Sequence, residues 1–365
     1  MMLTSRPSGD RHAEFSGAVR PATPVETTLM LIGGTWLVIG LFIDGYAHTE
    51  IIDTETEDFF TPWHALFYSG FMFTTVVVAR IAHRRAAPTI TWRSLPPGYP
   101  GAALGLLLFA LGGIGDGIWH TAFGVENGLD ALLSPTHLLL FVGLILILTG
   151  PARAQWLDPT PRHGWRQLGP VVVSAAITTG LVAFLFVYAF GLSNFRYQQL
   201  PYDTAVTVDD LPVNERLVQL GLARAYVGTA IVLAPTLLLI RRWLPPFGSI
   251  ATIWTTPVVL AAFAFDGDLV AIPATMLGGL VFELIFRATR SRVDRRTAIL
   301  SSVTLGTASL WSIWMVAVAF GGSGVGWPIE LWSGQIVASA MFAFGLAFVA
   351  MPPPVPVAAG EHKHN

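Results

Sequence analysis

Asp44, His48 and His64 form one trio of metal-ligating side chains, and Asp116, His120 and His137 form a second. The wording around them is shared. Asp44-Gly45-Tyr46-Ala47-His48-Thr49 precedes Thr61-Pro62-Trp63-His64, and Asp116-Gly117-Ile118-Trp119-His120-Thr121 precedes Ser134-Pro135-Thr136-His137. A glycine follows six residues beyond the second His each time (Gly70, Gly143). The offset is 72 residues at the Asp and first His, and 73 at the Pro and second His.

Two imidazoles and a carboxylate make a three-ligand set that leaves coordination positions open. Such a set suits Zn(II), non-haem Fe(II) or Cu(II). The chain has no cysteine, which excludes disulfides, thiolate sites and C-x-x-C redox chemistry. Its eight methionines are scattered and line no thioether path. With no thiols and an oxidising outer compartment, copper comes first, then zinc or iron. Glu50 and Glu126 follow each first His and are candidate extra ligands or orienting partners. A lone D-x-x-x-H at a helix end is more often a hydrogen-bonded pair than a ligand set. Repetition of the whole trio at matching spacing turns the reading toward metal. One merged dinuclear site and two mononuclear sites both remain open.

The elements that must position these residues are membrane helices. Hydrophobic residues make up 53% and charged residues 12% of the 365, with mean hydropathy +0.60. A soluble domain carries about 25% charged residues. Apolar runs long enough for a hydrocarbon core of about 30 Å recur at 28–47, 62–82, 99–120, 132–150, 168–192, 217–240, 250–265, 269–287, 298–320 and 329–351. The expected fold is all-α: a polytopic bundle of about ten helices, with an internal parallel repeat of the first two hairpins (28–82 and 99–150), followed by further helices over 168–351. Residues 1–27 are expected to be a cytoplasmic tail running into a retained helix rather than a cleaved signal. Residues 352–365 are expected to be disordered. No nucleic-acid-binding signature is present.

All 21 Lys and Arg except Arg196, Arg216 and Arg224 fall in the tails or in alternate loops, which assigns that side to the cytoplasm of a plasma membrane. Both termini then lie inside, and 16 of the 23 acids lie outside. The four trio histidines sit at the outer face; His12, His83, His163, His362 and His364 fall on the other side and are given no role. In a helix, Asp44 and His48 share a face, about 6 Å apart along the axis. The short connection returns His64 to the same height, and Asp116, His120 and His137 repeat the arrangement.

Arg224, inside the sixth run, is expected to pair with an acid or an anionic ligand. Glu283 is expected to form an i,i+4 pair with Arg287. Asp266, Asp268 and Glu330 read as turn carboxylates, the tryptophans as interfacial belts and helix packing, and the long outer loop 193–216 as a lid over the outer face.

The Asp-x-x-x-His pattern with a second His on the next helix resembles the metal site in the C subunit of the copper membrane monooxygenases, the methane and ammonia oxidisers. That resemblance covers three residues per copy. It implies Asp44, His48 and His64, or Asp116, His120 and His137, as copper ligands, and a place in a complex with other membrane subunits. The wording also resembles bacterial multi-pass proteins sharing D-G-x-x-H and S-P-x-H, a likeness that implies no activity. Three rivals to a redox or oxygenase role stand beside it. They are a metal uptake or delivery transporter, a zinc-dependent membrane hydrolase with a motif Asp as base, and a scaffold whose Asp–His pairs only tie helices together. Other membrane subunits or further copies of the chain (a homo-oligomer) are the expected partners.

Overall fold

The computed structural model describes residues 21–51, 61–85, 92–124, 128–208, 210–321 and 323–351. The expectations for Glu126, for the N-terminal tail before residue 21 and for 352–365 lie outside them. About 79% of the chain is helical. The helices are α1 (Pro24–Tyr46), α2 (Pro62–Arg85), α3 (Tyr99–Phe123), α4 (Leu129–Leu133), α5 (Pro135–Leu148), α6 (Gly150–Leu157), α7 (Gly164–Leu185), α8 (Arg196–Gln199), α9 (Glu215–Arg242), α10 (Ser249–Ala264), α11 (Ala271–Arg290), α12 (Arg295–Gly321) and α13 (Ile329–Ala350). Every apolar run of the sequence carries one of the longer helices.

By length and apolar composition, eight of them can cross a membrane: α1, α2, α3, α7, α9, α11, α12 and α13. The fourth run is broken, with α5 and α6 meeting at 43°, and α10 is a shorter apolar helix. The break falls at Gly150-Pro151, where a ring at the helix start removes a backbone donor. Large apolar side chains point outward along the bundle, among them Val76 (61% exposed), Ile114 (65%) and Val349 (80%). Such a surface belongs in lipid, and the molecule is a multi-pass membrane protein.

The first hairpin is pinned at one end by charge. Thr23 and Glu26 form a capping box at the start of α1, and Glu26 Oε2 lies 2.6 Å from Arg85 Nη2 at the end of α2. Bare glycine backbone sets the spacing of both hairpins. A Cβ at Gly40 would stand 2.9 Å from Phe67 Cα, and one at Gly112 3.1 Å from Leu140 N. One at Gly70 would stand 3.1 Å from Leu37 N, and one at Gly143 2.8 Å from Phe109 N. These contacts recur 72 residues on along the first helix and 73 along the second, the offsets of the motif itself.

Two apolar cores result. One joins α1, α2, α3 and α5 with α7; the other joins α7 with α9, α10, α11, α12 and α13. Several sequence expectations are corrected here. Arg224 is buried and pairs with no described acid. Its guanidinium is hydrogen-bonded to the carbonyls of Tyr188, Val187 and Phe190 just past α7, with Tyr197 4.9 Å from it. Glu283 makes no ion pair with Arg287: its carboxylate accepts from the Gly248 and Ile250 amides at the α10 N-terminus, where the helix dipole favours it. Arg287 turns to the Pro245 carbonyl.

The 193–216 segment holds α8 and a two-stranded antiparallel ribbon, β1 (Asp203–Val208) and β2 (Leu211–Val213). It is tied by backbone hydrogen bonds of Tyr202 and Gln198 to Gly326, just before α13. Asp268 serves the same corner, accepting from the Phe195 amide.

Candidate metal centre

The motif residues come together as two groups. In each, one oxygen of the Asp and one ring nitrogen from each His lie within 4.8 Å of one another. Asp44 comes from the end of α1 and His48 from the turn that continues it, His64 from the start of α2; Asp116 and His120 come from α3, His137 from α5. The second His is placed by helix capping in both: the His64 amide donates to Thr61 Oγ1 and the His137 amide to Ser134 Oγ. A hydroxyl cap followed by proline in the first turn fixes where the helix begins, and so fixes the His in its third position.

The groups differ in detail. His48 stands not on α-helix but on a π-helical turn, Ala47–Ile51, that continues α1; its Nε2 is 3.9 Å from Asp44 Oδ1, and His64 Nε2 is 3.4 Å from the same oxygen. In the second group each oxygen serves one ring: His120 Nε2 is 3.4 Å from Asp116 Oδ2, and His137 Nε2 3.1 Å from Oδ1. The ring centres are 5.5 Å apart in the first pair and 5.9 Å in the second. Asp116 is buried and accepts a 3.0 Å hydrogen bond from Thr136 Oγ1; the matching residue in the first group is Trp63.

The opposite ring nitrogens of the second group meet backbone. His120 Nδ1 is 3.2 Å from the Gly124 carbonyl, and His137 Nδ1 is hydrogen-bonded to the Ala131 carbonyl of α4. With Nδ1 turned to a backbone carbonyl, Nε2 is the nitrogen left to bind a metal beside the carboxylate, the arrangement typical of metal-bound imidazole.

Both groups open on one cavity of about 380 Å³, whose remaining walls are largely apolar. Tyr68 lines it too. It lies one turn beyond His64 on α2, its ring 6.4 Å from that imidazole, and its hydroxyl is 3.0 Å from where a Cβ at Gly113 would stand. It therefore sits between the groups, in the field of both Asp44 and Asp116. Spacing from His64 was the available signal for it. Glu50 is exposed and stands outside the first group, as Asp266, Asp268 and Glu330 stand outside both. No known family model matches the chain, nor does any curated protein or solved structure.

Proposed function

We propose that the protein binds two transition-metal ions, one at Asp44, His48 and His64 and one at Asp116, His120 and His137, and uses them in redox chemistry on a small or lipophilic substrate. Copper is the first candidate and zinc or iron the next, since every ligand is nitrogen or oxygen. The observation that carries this reading is the convergence of a carboxylate and two imidazole Nε2 atoms within 4.8 Å, twice. In the second group both Nδ1 atoms are turned to backbone carbonyls. Helix-tying Asp–His pairs need only one imidazole per carboxylate, so paired imidazoles favour ligation over scaffolding. The apolar walls below the groups favour catalysis over a conduit for ions, which needs polar groups along its whole length.

We further read the α1–α2 and α3–α5 hairpins as copies of a parallel internal repeat, which the shared offsets of motif and glycine contacts support. All ten longer helices belong to the membrane domain in this reading, the distribution of basic residues puts both termini in the cytoplasm, and the metal groups face outward across the plasma membrane. A monooxygenase-like subunit working beside other membrane subunits fits these features.

Elemental analysis of protein purified with copper present tests the proposal. Wild type is expected to hold two equivalents, His48→Ala and His120→Ala one each, and the double variant none. Unchanged metal content in both single variants overturns the reading.

A further inference from the structure

The cavity joins two unlike surfaces. At one end stand the two Asp/His/His groups with Tyr68 between them; the rest is apolar wall, including Phe67, Leu140, Phe141, Leu144 and Phe184. Its 380 Å³ falls in the range of small-molecule sites, roughly 300–1,000 Å³. A single aromatic layer closes it toward α10. Phe42, Phe184 and Phe265 pack with ring centres 5.0, 5.9 and 5.5 Å apart. Phe184 and Phe265 also lie on the backbone of Gly45, where a Cβ would stand 2.8 and 3.2 Å from their rings. On the far side of Phe42 is a second depression of about 210 Å³ between α1 and α10, lined only by apolar residues and tyrosine. Phe263 on its rim is 70% exposed, so this groove faces the lipid.

We propose that the chamber is the binding site of a lipophilic molecule bearing one oxygen at its end, such as a medium-chain alkanol, taken from the bilayer through the Phe42–Phe184–Phe265 wall. Its chain lies along Phe67, Leu140, Phe141 and Leu144, and its oxygen faces the Asp/His groups. A wholly polar ligand would give up its own hydration against walls that offer it no hydrogen-bond partner. A pure hydrocarbon would leave the imidazole and carboxylate end unmatched. Each methylene buried multiplies affinity by about four, so chain length and cavity length set selectivity together. This inference rests on the metal reading only for the oxygen end; the apolar lobe stands without it.

The test uses the full chain in lipid nanodiscs and an octanol carrying a diazirine on its chain, photolysed and mapped by peptide mass spectrometry, with copper-loaded and chelator-treated samples side by side. Label is expected on residues of α5 and around Phe184, falling at least fivefold with excess octanol. Leu144→Trp, which fills the lobe, is expected to abolish this saturable label while keeping its metal content. Should that variant fail to fold, Phe265→Ala serves instead; by opening the wall it is expected to bring the label to saturation several-fold faster. Unsaturable label spread over outward positions such as Val76 and Val349 overturns the proposal. Full metal content with no saturable label sinks it alone. Saturable label in protein that binds no metal sustains it and sinks the metal reading instead.

Discussion

Thr136 shows what a single hydroxyl contributes to the centre. It donates to Asp116 Oδ1, the oxygen that also faces His137, and so fixes the carboxylate between the two rings. Partners of this kind typically change metal affinity about 10–100-fold. Thr136→Val is therefore expected to weaken copper at the second group by that factor and leave the first group, which has Trp63 at this place, unchanged; competition titration against a chelator of known affinity reads both. The six Asp and His residues were legible in the sequence because a duplicated spacing is improbable without shared geometry. Thr136 and Tyr68 were not. Each has a different residue type at the matching position of the other copy, Trp63 and Phe141, so the repetition that marked the ligands hid these two.

The hairpins hold their ligands level because their helices touch backbone to backbone. A Cβ at Gly143 would meet the Gly105 carbonyl and the Phe109 amide at 2.8 Å, whereas nothing lies within 4 Å of one at Gly117. Gly143→Ala must push α3 and α5 apart and is expected to cost about 1–3 kcal/mol. Gly117→Ala, in the partner helix α3, is expected to be neutral or to gain up to about 1 kcal/mol from propensity alone. Thermal melting in one detergent distinguishes them, and equal melting temperatures would remove the close approach from the account. The longer helices were legible because apolar runs of this length leave few alternatives. The shorter features were not. The π-turn at Ala47–Ile51 and the α4 turn have no periodic signal of their own, being set by what they place. The ribbon had only a weak signal: the β-branched residues Thr204, Val206, Thr207 and Val208 favour a strand, but they lie inside an acidic loop.

At the scale of the whole molecule, α7 contributes to both cores, and hydrogen bonds hold it at its middle and just past its C-terminal end. Ser174 donates to the Leu148 carbonyl at the α5–α6 break. Past its C-terminal end, Arg224 donates to the carbonyls of Val187, Tyr188 and Phe190, which a cation satisfies well. The sequence showed Arg224 as a charge in need of a partner but not that backbone would supply it. The apolar pattern likewise gave the number of longer helices but not their division into two cores, since lipid-facing and core-facing side chains are equally apolar here.

The exposed β1–β2 ribbon has a practical consequence. It lies between α8 and α9, and the helices before and after it are bound chiefly through α7 and α10, which pack along one another. A chain severed after Val208 would thus leave each fragment with its own hairpins and a ready-made seam to the other. Co-expressed as residues 1–208 and 209–365, the halves are expected to copurify through an affinity tag on either one, with copper retained on the first; fragments that do not associate would place the cohesion of the molecule elsewhere.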